Sequence, residues 1–210
     1  MSSQQSVIIY KDKYWSFIPK LIPLEYFDIL YKKLYKKTGR YPIKMRGNVF
    51  TSRRRSCTYT NNKDGMLGYT YEGIPRYKWR KAPKELLEIR DLVGYYASDQ
   101  SANVKFDYVL CHIYEDGSDY IGFHSDHEAL ETPIVSVSLG PTEGSRKFRF
   151  RKIGETKGWE EEFDLVSGDV LIMHGRTNKR EGCQRVYKHT VPSTKKKVGS
   201  RINLTFRQFE

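Results

Sequence analysis

His124-Ser125-Asp126, followed by His189 and then by Arg201 and Arg207, brings together residue types that could do chemistry. Two imidazoles and one carboxylate are the ligand set of the facial triad that holds non-haem Fe(II) and leaves positions open for substrates. Two guanidiniums offer the fork of donors that each carboxylate of a dicarboxylate needs. In this order the five residues predict an oxygenase that consumes a keto acid. No piece is specific alone, since a lone histidine is more often a satisfied structural residue than a ligand. Three further histidines, His112, His127 and His174, compete for the role. His127 is odd relative to His124 and points away on an extended segment. His174 closes an apolar run and either lines a pocket or caps it, and Asp169 reads as a turn residue.

The elements that must position these residues are mostly strands. Residues 106–114, 134–139, 147–152, 162–165, 170–173, 186–191 and 201–209 are β-rich runs punctuated by Gly and Pro. Many short strands separated by turns predict a jelly roll. On an extended segment His124 and Asp126, two apart, face one side. Arg201, Asn203, Thr205 and Arg207 share one face of the last strand, and Ile202, Leu204 and Phe206 share the other. A polar stripe inside a barrel is costly unless something satisfies it, and a bound dicarboxylate would. Upstream, residues 6–9 and 14–18 read as short strands. Residues 24–35 (Phe27, Leu30, Tyr31, Leu34) and 84–96 (Leu87, Leu92, Val93) read as helices that brace the sheet. The fold class is therefore α+β, mainly β: a jelly roll (double-stranded β-helix) with bracing N-terminal helices. Residues 1–104 form the N-terminal part and 105–210 the core, within one compact domain.

At 210 residues the chain can bury a core without covalent staples. Its net charge of +12 favours a polyanionic partner, nucleic acid first and an acidic membrane surface second, with plain solubility as the simpler reading. Cationic clusters include Arg53-Arg54-Arg55, Lys179-Arg180 with Arg185, and Lys195-Lys196-Lys197. On a strand Lys147, Arg149 and Arg151 form an outward stripe backed by Phe148 and Phe150. Cys57, Cys111 and Cys183 make no C-x-x-C pair, which argues against a disulfide framework or zinc site and for a reducing compartment. The start, Met1 to Ser6, lacks a secretory signal, and no run approaches the ~20 apolar residues of a membrane span. The expectation is a soluble, intracellular protein, nuclear or cytoplasmic, with no membrane partner.

His124-Ser125-Asp126, the distal Tyr187-Lys188-His189-Thr190-Val191-Pro192 and the strand Arg201-Ile202-Asn203-Leu204-Thr205-Phe206-Arg207 resemble the AlkB family of Fe(II)- and 2-oxoglutarate-dependent nucleic-acid dealkylases. Residues 133–140, 168–173, Gly68-Tyr69-Thr70-Tyr71 and Tyr114 with Asp116-Gly117 fit the same pattern, so the likeness runs from about residue 53 to 209. The resemblance implies that His124, Asp126 and His189 bind Fe(II) and leave room for O2. It implies that Arg201, Asn203 and Arg207 hold 2-oxoglutarate with Tyr114. His112 stands where the family usually has Asn, two positions before that tyrosine. The implied reaction couples decarboxylation of the keto acid to succinate with hydroxylation of an N-alkyl carbon, whose hemiaminal collapses to bare base and aldehyde. In a nucleotide-recognition lid, Tyr69 and Tyr71 would stack the base, with Glu128 at its exocyclic edge and Arg151 nearby. Phe50, Arg53, Arg54, Arg55, Lys147 and Arg149 would contact nucleic acid. The segment carrying Phe50 is short for a duplex wedge, which favours single-stranded DNA or RNA; a monomer is expected. The alternatives are an oxygenase acting on a protein side chain and a non-catalytic nucleic-acid-binding jelly roll.

Overall fold

The computed structural model describes residues 9–45, 48–61, 73–98 and 104–209. In chain order the first half holds β1 (Tyr10–Lys11), β2 (Trp15–Ile18), α1 (Glu25–Tyr35), β3 (Pro42–Met45), β4 (Asn48–Thr51), β5 (Arg55–Thr60), β6 (Arg76–Tyr77) and α2 (Lys84–Ser98). The second half holds β7 (Tyr108–Tyr114), β8 (Ile121–His124), β9 (Ile134–Leu139), β10 (Arg146–Lys152), β11 (Glu161–Leu165), β12 (Val170–Met173), α3 (Cys183–Val186), β13 (Tyr187–Val191) and β14 (Arg201–Arg207). A major sheet runs β1-β2-β12-β9-β14-β7-β5-β6, a minor sheet β11-β10-β13-β8, and β3 pairs with β4 in a hairpin. The sheets face each other as the two layers of a jelly roll, and among the described strands every pairing is antiparallel except β5 with β6.

Alternation along the strands builds two cores. On the outer side of the major sheet, Val135, Val137, Val170, Ile172, Ile202, Leu204 and Phe206 pack under the helices. Between the sheets lie Trp15, Ile134, Phe148, Phe150, Leu171 and Met173. α1 buries Phe27, Leu30 and Leu34 at helical spacing, with Glu25 and Asp28 in its first turn and Lys32 and Lys33 in its last, charges that suit the helix dipole. α2 buries Leu86, Ile89, Val93 and Ala97. That stripe corrects the sequence expectation, because Leu87 is only partly buried and Leu92 is exposed. The run Leu86-Leu87 let either residue start the period, and packing on the sheet chose the first.

Strands from the first half complete the major sheet: β2 pairs with β12, and β5 with β7. Of the expected strand at residues 6–9, only Ile9 lies within the described residues, without regular structure. β5 alternates Cys57 and Tyr59 with Ser56, Thr58 and Thr60, but neither it nor the four-residue β8 is among the strands expected from the sequence. Cys57 and Cys111 face each other across β5 and β7, and all three cysteines are free and buried. Among the described residues no helix is long and apolar enough to cross a membrane.

Trp15 shows how β2 closes the sandwich. Its ring stacks on Phe150 at 4.4 Å and 7° and meets Tyr187 edge-on at 5.2 Å. Trp15→Ala should cost about 3–5 kcal/mol in urea unfolding. Unchanged stability would contradict a structural role for β2.

Candidate metal and keto-acid site

His189 on β13 lies in register with His124 on β8, and their rings sit 4.3 Å apart. β8 ends at His124, and the chain then turns. Asp126 adopts φ −86° and ψ 83° ahead of a single 3-10 turn, His127–Ala129. The expected convergence of His124 and Asp126 therefore arises from this turn rather than from strand alternation. His124 Nε2 is 3.7 Å from Asp126 Oδ1, and His189 Nε2 is 4.0 Å from Asp126 Oδ2. One ligand atom from each of the three residues lies within 4.8 Å of the others. These gaps are too long for hydrogen bonds and short enough for one shared cation.

The protonation states suit a divalent metal. His124 Nδ1 donates to the Gly122 carbonyl at 2.9 Å, which fixes the tautomer and leaves the Nε2 lone pair facing Asp126. Burial lowers the His124 pKa against the opposing pull of Asp126. Burial, then His124, pushes His189 down to about 3. Burial alone would raise the Asp126 carboxyl, but Arg207, His189 and His124 outweigh it and hold it well below the usual carboxylate range. Arg207 Nη2 donates to Asp126 Oδ2 at 2.9 Å. Two neutral imidazoles and one ionised carboxylate are the donor set Fe(II) takes, so the residues fit the group. His189 is oriented by packing, its ring parallel to Phe148 within 9° at 5.4 Å.

A second constellation adjoins the first. Arg201 is fully buried, and its Nε and Nη2 donate to Ser138 Oγ at 3.0 and 2.7 Å. Its Nη1 is buried with no hydrogen-bond partner among the described residues. Burial pushes its pKa down to about 10, so the group stays charged at neutral pH. A buried cation with an unused donor calls for an anion. The polar face of β14 continues with Asn203, whose Nδ2 donates to Ser136 Oγ and the Val137 carbonyl. Across the β7 pairing, Tyr114 lies opposite Arg201 and His112 opposite Asn203. Two guanidiniums lie close to the Tyr114 ring, Arg201 at 5.1 Å and Arg146 at 5.2 Å. His112 Nδ1 is 2.8 Å from Ser56 Oγ, and burial, then Arg54 and Arg207, holds its pKa well below the ordinary value. His112, Tyr114, Asn203 and Arg207 line one solvent-open pocket with the three metal-binding candidates.

The remaining expected site residues divide. Tyr69 and Tyr71 lie outside the described residues, as does the side chain of Glu128. Phe50 is half exposed on the β3–β4 hairpin, and Arg53 is exposed. Arg54 corrects the reading of a surface cation: it is buried, donates to the Tyr120 carbonyl and lies 5.9 Å from the Tyr114 ring. Arg55 also turns inward, donating to the Tyr35 and Thr38 carbonyls over the Tyr35 ring. The stripe on β10 does face outward, but Lys147 and Arg149 are paired with Glu162, and Lys147 also with Asp164. Arg151 lies over Phe123 at 3.8 Å and donates to Gly158 and Thr156 carbonyls. His127 is exposed, as expected. His174 does not line the pocket; it bonds Ser16 Oγ at 2.8 Å and tethers β2. Asp169 accepts from the Lys20 and Val166 amides, as a turn residue does. Sequence reasoning missed Ser56, Ser136, Ser138 and Gln184. The two serines that alternate within Ile134–Leu139 carried a readable signal, being polar at period two in an apolar strand.

Residues 16–207 match the family model of the 2OG-Fe(II) oxygenase superfamily. The human protein named DNA oxidative demethylase ALKBH2 is 30% identical over 194 residues, covering 88% of this chain and 67% of its own. The bovine alpha-ketoglutarate-dependent dioxygenase alkB homolog 3 is 29% identical over 206 residues, covering 90% and 64%. The chain thus spans about two thirds of the length of these curated relatives. A crystal structure of a Pseudomonas putida prolyl-4-hydroxylase superposes with a TM-score of 0.53 at 11% identity, covering 94% of this chain and 95% of that one, a likeness of fold alone.

Acid should loosen this site. His189 is held at about 3 against an ordinary 6.5, so the folded state favours its neutral form. That stabilisation is complete above pH 6.5 and shrinks as pH falls towards 3. Metal-free protein should lose up to about 1.4 kcal/mol per pH unit from this residue across that window, read by urea unfolding. A His189→Phe variant whose stability falls just as steeply would contradict the assignment. Asp126→Asn should abolish Mn(II) binding and, by removing the carboxylate that faces Arg207, destabilise the fold by about 3 kcal/mol. Retained Mn(II) affinity in calorimetry would count against the ligand set.

Proposed function

The chain belongs to the AlkB family of the 2OG-Fe(II) oxygenase superfamily, and from that membership we propose that it oxidatively demethylates N-alkylated bases in DNA or RNA, of the 1-methyladenine and 3-methylcytosine type. The observation that carries this reading is the pairing of two charge sites beside one pocket. Asp126 with His124 and His189 awaits a cation, and Arg201 has a buried donor awaiting an anion. A dicarboxylic keto acid chelating the metal meets both demands.

Fe(II) held by His124, Asp126 and His189 would, with 2-oxoglutarate and O2, supply the oxidation of an N-alkyl carbon, the keto acid leaving as succinate and CO2 and the alkyl carbon as an aldehyde. The protein's own groups bind and orient. Arg207 holds Asp126 ionised and aimed at the two imidazoles. Arg201 and Tyr114 take the distal carboxylate, with Asn203 ordering the same strand face. His112 lines the pocket through the ring it anchors on Ser56, in the place of a family Asn.

A base in a duplex must be extruded to reach such a centre. In this reading Tyr69 and Tyr71 stack the extruded base, at about 1–3 kcal/mol per base, while Glu128 reads its edge and Arg151 flanks the mouth. Phe50 and Arg53 on the hairpin side extend the contact. The short hairpin favours single strands, and three free, buried thiols suit a reducing compartment; the enzyme acts as a monomer.

Aldehyde and succinate release should be measured on single- and double-stranded DNA and RNA carrying one methylated base. Turnover should be highest on single strands and vanish in His189→Ala. Affinity for the oligonucleotide should fall about tenfold between roughly 50 and 200 mM salt. Keto-acid turnover that ignores every methylated oligonucleotide would sink the substrate reading. Arg201→Met should raise the KM for 2-oxoglutarate about tenfold or more with little change in kcat. An unchanged KM would remove Arg201 from the keto-acid site.

A further inference from the structure

Resting on the metal-site reading, we propose that Gln184 is a positioning residue that fixes the backbone of Asp126 and so, together with the Arg207 contact on the carboxylate itself, sets its angle towards His189. Gln184 is buried at 3% exposure in α3, which runs directly into β13 and its ligand His189. Its Oε1 accepts the backbone N–H of Asp126 at 2.9 Å. That N–H can only donate, so the amide oxygen must face it, and Nε2 then points to Met173 Sδ at 3.1 Å. The side chain is thus fixed at both ends. A parallel tie runs from Ser125 Oγ to the Tyr187 carbonyl at 3.1 Å. Two consecutive residues of the ligand loop are therefore fastened to the segment that leads into the other ligand strand.

The bond matters because of where Asp126 sits. Its peptide belongs neither to β8 nor to the 3-10 turn, and no strand ladder holds its N–H. Rotation of that peptide would swing the carboxylate against His124 and His189.

The loop spanning residues 176–185 is built to keep Gln184 in reach. The Arg176 amide donates to the Glu131 carbonyl at 2.8 Å, and the Glu131 carboxylate accepts from Arg176 Nη1 at 3.4 Å and from Arg185 Nε at 2.9 Å. Gly175 and Gly182 pack so closely that an added Cβ would sit 2.5 Å from the carbonyls of Glu131 and Leu130 respectively. The loop is thus clasped to the segment that follows the metal carboxylate. Its length serves the second ligand-bearing element rather than the protein surface.

The test is Mn(II) affinity of metal-stripped full-length protein, read by the free-ion EPR signal, with no turnover required. Gln184→Leu, similar in volume but without the acceptor, should bind Mn(II) about tenfold more weakly or worse, as outer partners of metal ligands do. Gln184→Glu keeps an oxygen towards the Asp126 N–H and should stay within about threefold of wild type, well short of the loss seen when such partners are removed. Equal affinity in wild type and Gln184→Leu overturns the proposal. If Gln184→Leu does not fold, the exposed double variant Arg176→Ala/Arg185→Ala carries the test: weaker Mn(II) binding supports the clasp, and wild-type binding overturns it. A wild-type protein that binds no Mn(II) would instead refute the ligand set itself, a separate failure.

Discussion

The buried carboxylate of Asp126 is the constraint on which the rest of the structure depends. At 2% exposure an ionised carboxylate is untenable without compensation, and Arg207 supplies it from the last strand at 2.9 Å. The two imidazoles beside it are neutral for the complementary reason, since burial disfavours their charged forms. A region of mixed charge is thereby frozen into one protonation pattern, and that pattern is the one a hard-to-borderline divalent cation selects.

The architecture follows from the need to bring distant segments to that carboxylate. Asp126 comes from the turn after β8, His189 from β13 of the same minor sheet, and Arg207 from β14 of the opposing sheet. The site therefore spans the interior of the sandwich, and both layers must be in register for it to exist. Alternation along β14 does two jobs at once. Ile202, Leu204 and Phe206 anchor the strand in the outer core, while Arg201, Asn203 and Arg207 look inward. The positive charge expected to grip polyanions is partly spent on this scaffold, because Arg54 and Arg146 satisfy main-chain carbonyls around Tyr114.

Much of this was legible in the sequence where a period or a spacing carried the signal. The strand Arg201–Arg207 and the candidate ligand pair His124 and Asp126 are local patterns, and the structure brings that pair together with His189 through the turn after β8 rather than by strand alternation. Less legible were features set by tertiary packing. Arg54 reads as one of three consecutive surface cations, yet only the fold decides that its guanidinium turns inward. In α2 Val93 is buried as expected, but Leu86 replaces Leu87 in the buried stripe, because two leucines stand side by side and only contact with the sheet distinguishes them. Ser56 and Gln184 act through hydrogen bonds to residues 56 and 58 positions away, a separation no local pattern encodes.

The account stands most directly on where one cation and one dicarboxylate bind. A crystal structure of the protein with Mn(II) and 2-oxoglutarate would place both. The account predicts one ion held by His124 Nε2, Asp126 and His189 Nε2, with the distal carboxylate of the keto acid on Arg201 Nη1. An ion elsewhere, or a dicarboxylate that leaves Arg201 without an anion, would contradict it.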